Sequence, residues 1–313
     1  MLSRSASNLY WMGRYLERAD FMCRLIDATT RLASLPASHG GAQAAWESAV
    51  HSAAVSESFE STETPVDEAH VGYFLAISAQ NPSSIRSCVE RARSNGRAVR
   101  TSLTVETWEA INDTWLEVQR FGTGIPDSVT LVRLVDSIRQ KLLSFDGAVA
   151  LTQLREPSYW FLRLGTLIER ADNTARLLDV KYHLLLPRSE PVGGSLDYFQ
   201  WTTLLRTVSA LTAYRWVYRD TVKPWLVADL LIFHKAMPRS LVACVEDCVL
   251  ALGELADAGG RRGPANRHAS NILRRLQESD IDTLFQAGLH EFLVEFLIAN
   301  NNLGDAIAEQ YLF

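Results

Sequence analysis

The sequence predicts an all-α fold, a helical bundle built from two internally duplicated halves. Apolar residues recur at spacings of three and four along most of the 313 residues, which is the period of an amphipathic helix. No run of alternating β-branched residues competes with this pattern. Motifs of the first half return at matching positions in the second. We therefore expect two helical halves, residues 1–151 and 152–313, packed as one unit around a large core, since 47% of the residues are hydrophobic.

In the first half the pattern predicts helices over residues 9–33, 44–58, 66–79, 83–102, 105–120 and 127–151. Ser7 and Asn8 belong to the residue types that favour a helix N-cap, and Pro36 is expected to end the first helix. Residues 62–65 are expected to be among the most flexible. The apolar face of the first helix consists of Tyr10, Gly13, Leu16, Ala19, Cys23 and Ile26.

In the second half the pattern predicts helices over residues 158–186, 197–219, 222–236, 238–257, 270–279 and 281–299, with a final segment to residue 312. Pro82 and Pro238 are each expected just inside the start of a helix, where proline is tolerated. The sequence Gly259-Gly260-Arg261-Arg262-Gly263-Pro264 predicts a flexible connection within residues 256–265.

The sequence Glu-Arg-Ala, followed by four residues and an arginine, occurs three times. Positions three, four and seven apart lie on one side of a helix, so such a motif forms a polar stripe. The stripe of Glu17, Asp20, Arg24 and Asp27 is repeated by Glu169, Asp172, Arg176 and Asp179 at a constant offset of 152 residues (169 − 17). The three copies are Glu17-Arg18-Ala19 with Arg24, Glu90-Arg91-Ala92 with Arg97, and Glu169-Arg170-Ala171 with Arg176.

A second correspondence extends the repeat. Residues 71–89 match residues 227–245 at an offset of 156 (227 − 71), so that Asn81-Pro82 aligns with Met237-Pro238. Glu246 stands at a fourth acidic position but is followed by Asp247-Cys248, so this copy of the motif is degraded. We therefore predict homologous halves with a single site, formed mainly by the helices that carry Glu17, Glu90 and Glu169.

Composition and charge argue against several function classes. A net charge of −5 disfavours general binding to nucleic acid or to an anionic membrane surface. No stretch approaches the ~18 consecutive apolar residues of a membrane span, and the N-terminus lacks an apolar signal core, so we expect a cytoplasmic protein. The four cysteines lie in apolar helical patterns and are predicted to be reduced thiols of the core: Cys23, Cys88, Cys244 and Cys248.

The polar stripes are compatible with two kinds of structure. Arginine grips carboxylate or phosphate with a planar fork of donors, so arginines facing glutamates suit a phosphate, a zwitterionic peptide or an amino-acid end. Alternatively, the charges neutralise one another between packed helices and fix their register. Di-iron bundles carry Glu-x-x-His, whereas these helices read Glu17-x-x-Asp20 and Glu169-x-x-Asp172 beside arginines that repel cations. We therefore expect no metal and no cofactor.

Three blocks of the sequence resemble the bacterial Alpha-E family. The first runs from Ser3-Arg4 through Asn8-Leu9-Tyr10-Trp11-Met12-Gly13-Arg14-Tyr15-Leu16-Glu17-Arg18-Ala19-Asp20. The second holds Asn81-Pro82-Ser83-Ser84-Ile85 and Glu106-x-Trp108-Glu109-x-x-Asn112, and the third holds Tyr214-Arg215, Tyr218-Arg219 and Pro238-Arg239-Ser240. The resemblance covers nearly the whole chain. It implies an all-helical protein that is encoded with, or fused to, a circularly permuted ATP-grasp protein and a transglutaminase-like protein.

That association implies a part in ATP-dependent amide or peptide bond formation, or in peptide modification. We expect an accessory helical subunit that binds either the substrate or the ligase. The alternative is an independent enzyme of amide or peptide chemistry, with Glu17 or Glu169 as a general base of raised pKa. The candidate ligand-binding or partner-binding residues are Arg14, Glu17, Arg18, Asp20, Arg24, Glu90, Arg91, Arg97, Trp108, Glu109, Asn112, Glu169, Arg170, Asp172 and Arg176.

Overall fold

A computed structural model of the chain describes residues 2–34, 41–184, 195–259 and 262–313. Within these ranges every regular element is helical, so the predicted all-α class is confirmed. No described helix has both the length and the apolar character needed to cross a membrane. The α-helices are α1 (Ser3–Ala33), α2 (Gly41–Ser52), α3 (Ser56–Glu60), α4 (Glu68–Ala76), α5 (Ile85–Ala98), α6 (Val105–Arg120), α7 (Ser128–Thr152), α8 (Pro157–Leu184), α9 (Ser195–Thr207), α10 (Leu211–Tyr218), α11 (Pro224–Ile232), α12 (Leu241–Gly259), α13 (Pro264–Glu278), α14 (Ile281–Ala287) and α15 (Leu289–Tyr311).

α1 and α8 pack against each other in the middle of the fold, with a glycine of each helix at the contact. A Cβ atom at Gly13 would lie 2.2 Å from the carbonyl oxygen of Leu162, and one at Gly165 would lie 1.9 Å from that of Tyr10. Separations this short are steric clashes, so glycine is what lets the two backbones approach so closely. The approach brings the polar stripes of both helices within hydrogen-bonding distance of each other.

Each central helix is covered by its own set of neighbours. α1 packs against α5 and α7, and α6 packs in turn on α5 and α7. α8 packs against α12 and α15, and α13 packs in turn on α12 and α15. Apolar side chains such as Val89 of α5 and Val245 of α12 are buried in these contacts. The charged side chains between α1 and α8 therefore lie within an apolar core.

Side-chain caps explain where several helices begin. The Oγ of Ser84 accepts a hydrogen bond from the backbone N–H of Ser87 at 3.2 Å and begins α5. Thr104 and Asp127 cap α6 and α7 in the same way. Each cap satisfies an N–H group that the first helical turn leaves without a partner. In the preceding turn the backbone N–H of Ser83 donates to Oδ1 of Asn81 at 2.9 Å, and the hydroxyl of Ser83 faces Arg18 of α1.

The first helix begins earlier than the sequence predicts. α1 starts at Ser3 with Leu2 at the N-cap position, so the prediction that Ser7 and Asn8 cap it was wrong. The side-chain amide of Asn8 donates instead to the carbonyl oxygen of Arg4 at 2.9 Å, inside the helix. A polar residue inside a long helix therefore gave the same signal as a cap.

The four cysteines are buried free thiols, as predicted. The thiols of Cys88 and Cys244 donate to the carbonyl oxygens of Pro82 and Pro238 at 3.9 and 3.8 Å. Burial raises the pKa of both thiols to about 12. The two prolines lie in the turns before α5 and α12 rather than inside those helices, because the serine that follows each turn begins the helix.

Three segments predicted as single helices are interrupted in the structure. The interruptions fall at Ala54, Ser209 and Gly288, whose φ angles are +54°, +54° and +112°. A positive φ ends a right-handed helix, and alanine and serine seldom adopt one, so the sequence carried no signal for the first two. Pro36 and the end of the helix predicted over residues 158–186 lie outside the described residues. Of the flexible connection predicted within residues 256–265, residues 260–261 also lie outside them, but α12 extends to Gly259 and α13 begins at Pro264, so the connection is shorter than predicted.

Candidate functional site

The two Glu-Arg pairs of α1 and α8 are exchanged between the helices. Arg170 of α8 donates to Glu17 of α1, with Nη2 at 2.7 Å from Oε2. Arg18 of α1 donates to Glu169 of α8, with Nε at 2.6 Å from Oε1. Equivalent positions of the repeated motif therefore make equivalent contacts, and each glutamate is neutralised by the other helix.

The Glu17 centre, which we define as Glu17 with Asp20, Arg170 and Arg239, is closed. Arg239 enters from the turn before α12 and donates to Oε1 of Glu17 at 2.5 Å and to Oδ2 of Asp20 at 2.7 Å. The side chains of Arg170 and Arg239 are only 11% and 12% exposed. Burial by itself raises the pKa of Glu17, but Arg170 and Arg239 overcome this effect and lower it to about 2. Glu17 is thus held as a buried, fully paired carboxylate.

The Glu169 centre, which we define as Glu169 with Arg14, Arg18 and Ser83, is more open. Arg14 Nε lies 2.8 Å from Glu169 Oε2, and Arg18 Nη1 also reaches the hydroxyl of Ser83 at 3.4 Å. The side chain of Arg18 is 24% exposed, about twice as much as either arginine at Glu17. Burial raises the pKa of Glu169, but Arg18 and Arg14 bring it below its ordinary value. A general base at Glu17 or Glu169 was expected to have a raised pKa. The pKa is lowered at both glutamates, so that expectation was wrong.

A pocket of about 240 Å³ opens beside the Glu169 centre. Its charged side chains are three arginines and two carboxylates, which leaves one positive charge in surplus. Arg176 is held by Asp172, with Nε at 2.7 Å from Oδ2, but its side chain remains 34% exposed. The lining residues are Arg14, Arg18, Met22, Ser52, Ala53, Ala54, Ser83, Glu169, Asp172, Asn173, Arg176 and Asn301.

Asn173 supplies a buried amide at this pocket. The residue is 7% exposed, and its Nδ2 has no hydrogen-bond partner among the described residues. A buried donor without an acceptor costs about 1–3 kcal/mol, so the fold retains an unfavourable group here.

Arg24 and Arg176 occupy equivalent positions but differ in their surroundings. Arg24 donates to Asp20 at 2.7 Å and to the hydroxyl of Ser209, and it is buried. Arg176 makes the equivalent bond to Asp172 and then faces the pocket. Of the two, only Arg176 retains donors that a ligand in the pocket can reach.

The candidates on α5 and α6 lie outside the pocket. Glu90, Arg91, Arg97 and Glu109 are exposed, and Arg91 lies 5.7 Å from the ring centre of Tyr15. The motif copy on α5 therefore faces solvent, and the turn before α5 contributes Ser83 to the Glu169 centre. Two other candidates, on α6, contact arginines of α5 and of the turn after it. Oδ1 of Asn112 accepts from Nε of Arg93 at 2.9 Å, and the ring centre of Trp108 lies 5.3 Å from Cζ of Arg100.

Two residues of these centres, Arg239 and Ser83, were not among the predicted candidates, nor were the pocket residues Asn173 and Asn301. Position 239 aligns with position 83 in the offset of 156 that relates Met237-Pro238 to Asn81-Pro82 (239 − 83). That alignment was sufficient to indicate that serine and arginine stand at one equivalent position. Nothing in the sequence indicated the two asparagines. In the described residues no three histidine, cysteine, aspartate or glutamate side chains are grouped so as to hold a metal ion.

A family model described as a predicted α-helical domain with a conserved ER motif, named Alpha-E, matches residues 1–312. In one-letter code ER is Glu-Arg, the pair that α1 and α8 exchange. No curated protein and no solved structure matches the chain. Because the match spans almost every residue and the helical structure agrees with it, the chain belongs to the Alpha-E family.

Proposed function

We propose that this protein is an accessory helical subunit of an ATP-grasp-linked system for peptide or amide ligation or for peptide modification. In this proposal it binds a carboxylate-bearing ligand, such as a peptide or amino-acid end, in the pocket beside Glu169. The pocket is the observation that carries the binding role. The partners, a circularly permuted ATP-grasp protein and a transglutaminase-like protein, come from the family resemblance. A reaction that consumes ATP also agrees with the cytoplasm as the compartment.

The charge of the pocket supports a ligand with a carboxylate. Arg18 holds Glu169 with both Nε and Nη2, whereas Arg14 bonds it through Nε only and so keeps donors for a ligand. Arg176 extends the same surface. A carboxylate accepts two parallel hydrogen bonds from one such fork. The ligand's ammonium group, if present, would meet Asp172, which lines the same pocket.

The two glutamates support an accessory role over independent catalysis. A carboxylate whose pKa is lowered by paired arginines is a weak base at neutral pH. The pKa is lowered at both Glu17 and Glu169. The alternative, an independent enzyme of amide or peptide chemistry, would need a different base.

Internal duplication is the origin that we infer for the two halves. Three pairs of contacts support it: the exchanged Glu-Arg pairs, the close approach of Gly13 and Gly165, and the thiol bonds of Cys88 and Cys244. Since the first two pairs join α1 to α8, we keep residues 1–151 and 152–313 as halves of one packed unit.

Calorimetric titration tests the binding role. The probes are L-glutamate, a glutamate-containing dipeptide and inorganic phosphate, each added to the wild type, Arg176→Ala and Arg31→Ala. Arg31 is the matched control, because it pairs with Asp27 four residues earlier as Arg176 pairs with Asp172, but outside the pocket. We expect a carboxylate probe to bind at least tenfold more weakly to Arg176→Ala and equally to Arg31→Ala. Failure of every probe to bind wild type, or equal binding by both variants, contradicts the pocket assignment.

Co-purification from the native host tests the accessory role. We expect a tagged wild-type protein to bring down an ATP-grasp protein, identified by mass spectrometry. A chain that emerges alone and turns over a peptide or amine substrate by itself would instead establish the enzyme alternative.

A further inference from the structure

One face of α10 presents basic and aromatic side chains to solvent. Trp216 is 75% exposed, and Arg215 and Arg219 are exposed beside it. Arg215 and Trp216 lie in the last turn of α10, and Arg219 is its C-cap residue, so the three residues lie at the same end of the helix. Within the described part of the chain neither guanidinium has a hydrogen bond, an ion pair or a ring contact. These three residues are called the α10 surface below.

Two tyrosines on the other side of α10 fix its position. The hydroxyl of Tyr214 donates to the carbonyl oxygen of Thr221 at 2.7 Å and accepts from the N–H of Lys223 at 3.0 Å. The hydroxyl of Tyr218 donates to Asp229 of α11 at 2.5 Å. Because these bonds hold the helix in place, a partner that binds the exposed face has little backbone left to order.

The chain leaves α10 in a strained conformation. Arg219 has φ +52° and ψ +31°, in the left-handed region that side chains other than glycine seldom adopt. Such strain persists where the surroundings enforce it, and it is concentrated at functional positions. A second exposed tryptophan, Trp225, follows at the start of α11 and is 48% exposed. Lys223 lies 5.6 Å from its ring centre and pairs with Asp220, so this lysine is already neutralised.

The charge of the α10 surface differs from that of the whole chain. The protein has a net charge of −5, whereas Arg215 and Arg219 leave two positive charges uncompensated on this surface. Tryptophan and arginine are also the residue types that carry most binding energy at protein interfaces. We propose that the α10 surface docks a short acidic segment of a partner protein. Carboxylates of that segment pair with Arg215 and Arg219, and an apolar side chain packs on Trp216.

Fluorescence anisotropy of a labelled peptide tests this proposal. The probe is a synthetic peptide of alternating glutamate, aspartate and leucine, and the control peptide replaces each acid by its amide. We expect the wild-type protein to bind the acidic peptide and not the amide control peptide. The acidic peptide should bind at least tenfold more weakly to Arg215→Ser/Arg219→Ser and to Trp216→Ala than to the wild type. The matched control is Leu250→Ala/Arg274→Ser, which removes an exposed apolar residue and an exposed arginine from α12 and α13.

Three outcomes would overturn the proposal: no binding of the acidic peptide to wild type, equal binding to the α10 variants, or loss of binding in the control variant. A single-stranded oligonucleotide is titrated in parallel. If it displaces the acidic peptide and binds more tightly than the peptide does, the surface is assigned to nucleic acid instead. Arg176→Ala is expected to bind the acidic peptide as tightly as the wild type, because Arg176 lies in the pocket and not on the α10 surface. Failure of this proposal and failure of the pocket assignment can therefore be distinguished. Circular dichroism confirms that each variant is folded.

Discussion

The Glu17 and Glu169 centres are built from equivalent positions of a repeated motif, yet one is closed and the other opens to a pocket. At Glu17 the neighbouring turn supplies Arg239, which joins Glu17 and Asp20 in a buried network. At Glu169 the equivalent position is Ser83, which is short and leaves the space open. The difference teaches that one side chain in a turn, on an otherwise shared scaffold, separates a structural ion-pair network from a candidate binding site.

Removal of the buried charge should have the largest effect and should separate the two centres. Glu17→Gln leaves Arg170 and Arg239 buried beside a neutral amide, and breaking a buried ion pair costs about 3–5 kcal/mol. We expect Glu169→Gln to cost about half of that or less, since Arg14 and Arg18 can turn their charge toward the pocket. Denaturant unfolding of both variants measures the two losses. Equal losses would show that the centres are energetically alike.

Acid should weaken the Glu17 centre over a definite range of pH. The pKa of Glu17 is about 2 in the folded protein and 4.5 in its ordinary state, so the unfolded chain binds the proton more readily. Stability from this group is therefore complete above about pH 4.5 and is lost as the pH falls towards 2, by about 3 kcal/mol at most. Unfolding free energies measured across this range should decline less steeply in Glu17→Gln. An identical decline in the variant would assign the acid sensitivity to other carboxylates.

The glycines at the contact between α1 and α8 should behave alike, in contrast to the two centres. Gly13→Ala and Gly165→Ala each place a Cβ against a backbone oxygen of the other helix, and we expect each to cost about 1–3 kcal/mol or more. Gly253→Ala is the control, because a Cβ there meets nothing within 4 Å and alanine favours the helix by about 0.5–1 kcal/mol. Thermal unfolding compares the three variants. A large loss of stability in only one of the two contact-glycine variants would show that the two glycines do not play the same part in the contact between α1 and α8.

The substitution Ser83→Arg places an arginine at the position that corresponds to Arg239, and we expect it to have the smallest effect on stability and a large effect on ligand binding. Ser83→Arg should fill the pocket and weaken binding of the carboxylate probe at least tenfold, or about 1.4 kcal/mol. Its unfolding free energy should change by less than about 1 kcal/mol, because the new side chain enters open space. Ser94→Arg, on the exposed face of α5, serves as the control. Undiminished binding by Ser83→Arg would place the ligand elsewhere.

Sequence periodicity was sufficient for the helices but not for their interruptions. The apolar spacing of α1 and α8 is visible in the chain because these helices are long and amphipathic. The left-handed conformations of Ala54 and Ser209 arise from tertiary packing and override the local preference of both residues. Their positions could not be predicted from the residues alone.

The site was predictable to the extent that it depends on one helix face. The spacing of Glu17 with Asp20 and of Glu169 with Asp172 placed each pair correctly on one stripe. The same motif at Glu90 gave no such result, because α5 buries Cys88, Val89 and Ala92 and turns its charged positions to solvent. The exchange of partners between α1 and α8 is a contact between residues far apart in the chain, which motif spacing does not describe.

The contact between α1 and α8 also bears on how the chain reaches its fold during synthesis. The paired motifs are 152 residues apart (169 − 17), so α1 leaves the ribosome long before the helix that neutralises its arginines. At about 5–20 residues per second, the interval is roughly 8–30 s. During that interval α5 and α7 emerge and can cover their sides of α1, but the face of α1 that packs on α8 has no native partner. A nascent chain of this protein therefore depends on late closure of a long loop, and chaperone protection of α1 is the expected requirement for its biogenesis.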